Sequence, residues 1–164
     1  MSISRGDRFV DGFIGRKNEL AELKYVYEGR TASLVVIKGR RRIGKSRLIE
    51  EFASQYKFYP FMGLAPRKGI TAQDQRNEFI RQYIAHFGSY ISHEEDWGNL
   101  FSFLAKQTQQ GNIIILFDEI SWMASNDPDF LGKLKIIWDC TLECLLESLT
   151  LNLVKKVKAF AKDI

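Results

Sequence analysis

The sequence predicts an α/β protein in which helices flank a parallel sheet, and three observations carry that expectation. Residues 33–38 (SLVVIK) and 113–117 (IIILF) are short continuous apolar runs rich in β-branched side chains, the signature of strands buried on both faces. Stretches with apolar residues at helical spacing lie before, between and after them, so strand, helix, strand, helices and strand alternate along the chain. The first run also leads directly into a glycine-bounded loop and a helix. With 164 residues, 45% of them hydrophobic, the chain is long enough for one core. A content of 27% charged and 13% aromatic residues with 3 prolines is unlike that of a disordered chain. The net charge of +4 is too small to argue by itself for a nucleic-acid or other anionic partner. No internal repeat or low-complexity segment is visible.

In chain order, residues 16–28 (RKNELAELKYVYE) place Leu20, Leu23 and Tyr27 on one helical face, with Gly29 as the stop. The strand at 33–38 follows. A helix over residues 45–56 sets Leu48, Ile49 and Phe52 against a polar side of Glu50, Glu51 and Gln55. Residues 58–64 (FYPFMGL) read as a second strand, and Pro60 places it at an edge or an end because it lacks a donor. Residues 71–87 carry a stripe of Phe79, Ile80, Tyr83, Ile84 and Phe87 and read as helix, as do residues 96–110, which stop at Gly111. The third strand is at 113–117.

The chemistry is concentrated in Gly39-Arg40-Arg41-Arg42-Ile43-Gly44-Lys45-Ser46, followed by Arg47. Glycine, four residues, glycine, lysine and serine between a buried strand and a helix is the arrangement a phosphate-binding loop requires. The glycines let consecutive N–H groups turn inward, and the helix N-terminus adds partial positive charge. Lys45 would reach the β and γ phosphates of a nucleoside triphosphate, most simply ATP, and the Ser46 hydroxyl would ligate Mg²⁺. A second signal is independent of the first: the strand at 113–117 ends in Asp118-Glu119. Two carboxylates at the end of a buried strand are costly unless they serve a cation or a reaction. Asp118 would hold the magnesium through water and Glu119 would act as general base. The plainer readings are a turn with an outward lysine, and an acidic cap on the next helix. Arg40, Arg41 and Arg42 could neutralise nucleic-acid phosphates, but variable positions of such a loop usually face away from the nucleotide. Trp122 and Met123 could stack on a ligand, although packing against the sheet is the commoner role.

The two cysteines, Cys140 and Cys144, stand four apart on a predicted helix, where they project side by side, so no disulfide is expected. With His86 and His93 far away in sequence, a structural zinc site lacks ligands, and buried free thiols in a reducing cytosol are the expectation. Neither a signal peptide nor a run of 18 apolar residues is visible, which predicts a cytoplasmic protein with no membrane partner.

Four segments together resemble the archaeal-type ATPase family, in the AAA+ and STAND branch of P-loop NTPases: FIGRKNELAEL (residues 13–23), IKGRRRIGKSRLIEEF (37–52), FDEISWM (117–123) and DPDFLGKLKIIWD (127–139). The resemblance covers about residues 13–139, leaving an N-terminal tail at 1–12 and a divergent tail at 140–164. It implies an ASCE/AAA+-like P-loop sheet, ATP as the nucleotide, and Gly15-Arg16 near the adenine. It also implies a larger parent with a helical or winged-helix part and a nuclease-like domain. Family members continue into a further strand with a polar sensor, an arginine-bearing region and a lid.

Here the chain reads CTLECLLESLTLNLVKKVKAFAKDI instead. Leu142, Leu146, Leu149, Leu153, Val157 and Phe160 recur at intervals of three and four and predict a helical tail, against a rival short strand at Leu149, Leu151 and Leu153. On the helical reading the domain is incomplete at its C-terminal side. The strand that normally separates the phosphate-loop strand from the acidic strand would be missing, leaving a hole or forcing the two to pair directly. The expectation is therefore Mg-ATP binding in a truncated P-loop ATPase domain, with hydrolysis in doubt. The alternative is a non-enzymatic module that self-associates or pairs with a full-length relative, and direct nucleic-acid binding ranks last.

Overall fold

The computed structural model describes residues 16–29, 33–38, 43–93, 95–109, 112–147 and 157–162, with backbone alone from 141 onward. Gly15, Gly39, Arg40, Arg41 and Arg42 lie outside the described residues, as do residues 148–156. The elements are α1 (Lys17–Glu28), β1 (Ser33–Ile37), α2 (Lys45–Ala53), β2 (Lys57–Met62), α3 (Ala72–Phe87), α4 (Trp97–Gln107), β3 (Ile113–Asp118), α5 (Ile120–Met123), α6 (Phe130–Glu147) and β4 (Val157–Lys162). The strands form one parallel sheet in the order β1-β4-β3-β2.

β3 is buried along its whole length because it has helices on both faces. Ile113, Ile115 and Phe117 point to one side, where they meet Phe79, Ile80 and Tyr83 of α3, Trp97, Leu100 and Phe101 of α4, and Phe130 of α6. Ile114 and Leu116 point to the other, against Leu23 and Tyr27 of α1 and Leu48, Ile49 and Phe52 of α2. This period-two division is what a continuous apolar run produces in the middle of a sheet. Each fully buried Phe, Ile or Leu adds about 1.5–3 kcal/mol over leaving it exposed, so the core is centred on β3.

β1 departs from its prediction as a strand buried on both faces. Val35 and Ile37 pack on the α1–α2 side, whereas Leu34 and Val36 on the opposite face remain 44% and 38% exposed. Helices α3 and α4 pack over β2 and β3, and their buried side chains do not extend to β1.

The second correction concerns the tail. Helical spacing predicts helix through Phe160, but α6 ends at Glu147 and residues 157–162 form β4. This strand pairs in parallel with β1 (Val35 opposite Phe160) and with β3 (Leu116 opposite Phe160). It therefore stands where the helical reading leaves a hole, and β1 and β3 are not direct neighbours. The rival strand at Leu149, Leu151 and Leu153 lies outside the described residues.

β2 is the edge strand that Pro60 predicts, and α3 occupies its outer backbone groups. Gln82 accepts from the Met62 N–H (2.8 Å) and donates to the Met62 carbonyl (2.9 Å). Gln75, only 1% exposed, makes the same pair of bonds to Leu64, both 2.9 Å. The His86 Nε2–H donates to the Pro60 carbonyl at 2.7 Å. Residues 60, 62 and 64 share one edge of the strand, and 75, 82 and 86 share one face of the helix, so the two periodicities mesh.

Candidate functional site

The site lies at the carboxyl ends of the parallel strands, where β1 leads toward α2 and β3 ends in the acidic pair. Gly44 has φ 81° and is the N-cap of α2, a left-handed conformation that glycine adopts without the Cβ penalty. Lys45 is the first residue of that helix and is only 3% exposed. Asp118, the last residue of β3, is 5% exposed. Lysine and aspartate are seldom buried to this degree unless they are paired or serve a ligand.

The fold brings the two sequence signals together. The Ser46 hydroxyl donates to Asp118 Oδ2 at 3.0 Å, across 72 residues of sequence. The interposed β4 sets β1 and β3 two strand spacings apart, about 10 Å, and across that interval the first turn of α2 reaches the end of β3. A hydroxyl oxygen and a carboxylate oxygen side by side are hard donors of the kind magnesium takes. The residues present therefore fit such an ion.

Glu119 follows as a half-buried residue with φ 54°. A non-glycine residue in this region is uncommon and costs of order 1–3 kcal/mol. Its carbonyl accepts from Trp122 N–H (2.8 Å) and Met123 N–H (3.3 Å), which ties the turn into α5. Met123 is 1% exposed in the core beneath the sheet, so it packs rather than stacks on a ligand. Trp122 is half-buried.

Of the remaining predicted residues, Ile43 is 44% exposed, and its carbonyl accepts a hydrogen bond from Arg16 Nη2. Arg16 is itself left-handed (φ 56°) and is the N-cap of α1. Arg16 thus reaches the glycine-lysine-serine segment through a backbone carbonyl. Arg47 is exposed on α2. Cys140 is a free thiol but an exposed one, contrary to the expectation of burial, and the side chain of Cys144 lies outside the described residues.

Sequence reasoning missed Gly63, whose N–H donates to the Asp118 carbonyl at 3.1 Å. A glycine just past a strand can mark close backbone approach, and that was the available signal. Among the described residues no helix is long and apolar enough to cross a membrane.

No family model matches the chain. An uncharacterized protein of Methanocaldococcus jannaschii is 24% identical over 132 residues, covering 80% of this chain and 27% of that protein. An uncharacterized ATP-binding protein of the same organism is 40% identical over 45 residues, 27% of this chain and 76% of that protein. Among solved structures, a Walker-type ATPase of Pyrococcus abyssi matches with a TM-score of 0.56 at 16% identity, over 92% of this chain and 45% of its own. The chain thus spans about a quarter of the first relative and under half of the structural neighbour.

Proposed function

Because the chain belongs, at a coarse level, to the archaeal P-loop ATPases, we propose that it binds ATP with magnesium at the carboxyl end of its sheet. The observation that carries this reading is the 3.0 Å contact between Ser46 of the glycine-lysine-serine motif and Asp118 at the end of β3. In this assignment Lys45 reaches the outer phosphates from the N-terminus of α2, whose free N–H groups and partial positive charge favour an anion. Ser46 and Asp118 would hold the magnesium, Asp118 through water, and the ion when bound would supply positive charge against the phosphates.

We assign Glu119 the role of general base, orienting water toward the γ-phosphate. The placement of β4 supports keeping hydrolysis in view, because the hole that the sequence predicts beside the carboxylates is filled. A cytoplasmic location accords with the proposal.

The test is thermal unfolding with and without Mg-ATP, for the wild type and for Lys45→Ala. Ligand at 100 times its dissociation constant should stabilise the wild type by about 2.7 kcal/mol. A clear rise in midpoint that Lys45→Ala abolishes is the expected result. A midpoint that Mg-ATP leaves unmoved in folded wild-type protein would overturn the proposal.

A further inference from the structure

We propose that Gly63 is a positioning residue for the acidic pair: it lets the end of β2 lie against the Asp118–Glu119 turn and so sets where the metal carboxylate stands. The inference rests on the magnesium role given above to Ser46 and Asp118, and it concerns a residue outside that set. Three observations converge on it.

First, contact at Gly63 leaves no room for a side chain. A Cβ there would lie 2.8 Å from the Glu119 carbonyl oxygen, 2.9 Å from Met123 N and 2.9 Å from Met123 Cγ. Two of those atoms are backbone, so no rotamer change relieves the overlap. Second, the turn is held on its own side: the Glu119 carbonyl is bonded to the N–H groups of Trp122 and Met123, and Glu119 already stands at φ 54°.

Third, the strand end is held from outside. Met62 and Leu64, on either side of Gly63, are each bonded through both N–H and carbonyl to one glutamine of α3, Gln82 and Gln75. These paired bonds stop β2 from retreating toward solvent. Anything larger than hydrogen at position 63 is therefore accommodated by displacing the turn, and Asp118 is bonded to Gly63 through its own carbonyl at 3.1 Å. The route runs from α3 through the end of β2 to the carboxylate, with no contact to nucleotide required of Gly63 itself.

A role confined to folding and a role in positioning predict different results. The measurement is the affinity for ATP in EDTA and in Mg²⁺ for folded wild type and Gly63→Ala, with the ratio of the two as the readout. Binding through the phosphate loop without metal should be retained in the variant. The gain on adding Mg²⁺ should fall by about 10- to 100-fold, the usual effect of disturbing groups that orient a metal ligand. A folded Gly63→Ala protein with the wild-type ratio overturns the proposal.

Should Gly63→Ala fail to fold, Gln82→Met decides, because it frees Met62 at a solvent-facing site. A smaller loss of the same gain is expected, and an unchanged ratio overturns the inference. Wild-type protein that binds no ATP at all would sink the proposed function itself. Wild type that binds ATP without any gain from Mg²⁺ would instead remove the metal role of Ser46 and Asp118, leaving Gly63 nothing to position.

Discussion

At the scale of single residues, Arg16 has two roles that an experiment can separate. Family resemblance implies that Gly15-Arg16 lies near an adenine. The guanidinium, however, donates to the Ile43 carbonyl, one residue before the left-handed Gly44 that opens α2. A contact to the loop backbone acts on the phosphates, whereas a contact to the base acts on adenine alone. Inorganic tripolyphosphate separates the two, since it has no base. On the loop-anchoring reading, Arg16→Ala weakens ATP and tripolyphosphate by the same factor, roughly fivefold for about 1 kcal/mol of lost hydrogen bonding. If ATP weakens and tripolyphosphate does not, Arg16 serves the base. What was legible is that the glycine-lysine-serine segment and the acidic pair belong to one place, since Ser46 at a helix start and Asp118 at a strand end do meet. For Gly63 the sequence held only the hint of a glycine just past a strand: the overlap that excludes a side chain involves Glu119 and Met123, which are distant in sequence and approach only when β2 and β3 pair.

At the scale of elements, helix starts were well marked. Thr71 and Asp74 form a capping box on α3, and Asp96 caps α4 by accepting from the Asn99 N–H at 2.9 Å. Asp96 also reaches Lys133 of α6 at 3.2 Å, so one carboxylate fixes the start of one helix and ties it to another. The Asn99 backbone bond, followed by Lys133, holds the Asp96 carboxyl below its ordinary range. Its folded value being lower than its unfolded one, the stabilisation is complete above the unfolded value, about 4, and is lost as pH falls through the folded value. Asp74, held down mainly by the Thr71 backbone N–H, works in the same direction. Replacing Asp96 by Ala should cost about 1 kcal/mol. Asp96→Asn keeps a capping oxygen, gives up the pair with Lys133, and should cost less while flattening part of the acid limb of a stability-against-pH curve. Chemical denaturation from pH 7 down to 3 reads both; equal losses for Ala and Asn would show that the ion pair, rather than the cap, carries the effect.

At the scale of the whole molecule, the decisive feature is that residues 157–162 lie inside the sheet. They were read as helix because Val157 and Phe160 continue the three-and-four spacing of Leu142 through Leu153, and six residues are too few for periodicity to separate helix from strand. What selects the strand is the gap between β1 and β3, whose backbone groups β4 satisfies on both sides. A tail helix would be a peripheral element whose loss removes association and little else. A central strand is different, because its removal leaves two ladders of unpaired donors and acceptors in a core whose net stability is only about 5–15 kcal/mol. Ala159→Pro is the sharper probe than deletion, since it removes one N–H from the middle of β4 and leaves the chain length unchanged. We expect this variant to lose its cooperative thermal transition, or to melt far below the wild type, and to lose Mg-ATP binding with it. If it instead melts and binds ATP like the wild type but no longer associates with other copies, residues 157–162 act outside the sheet, and the reading of this chain as an interaction module gains the ground that the nucleotide-binding domain gives up.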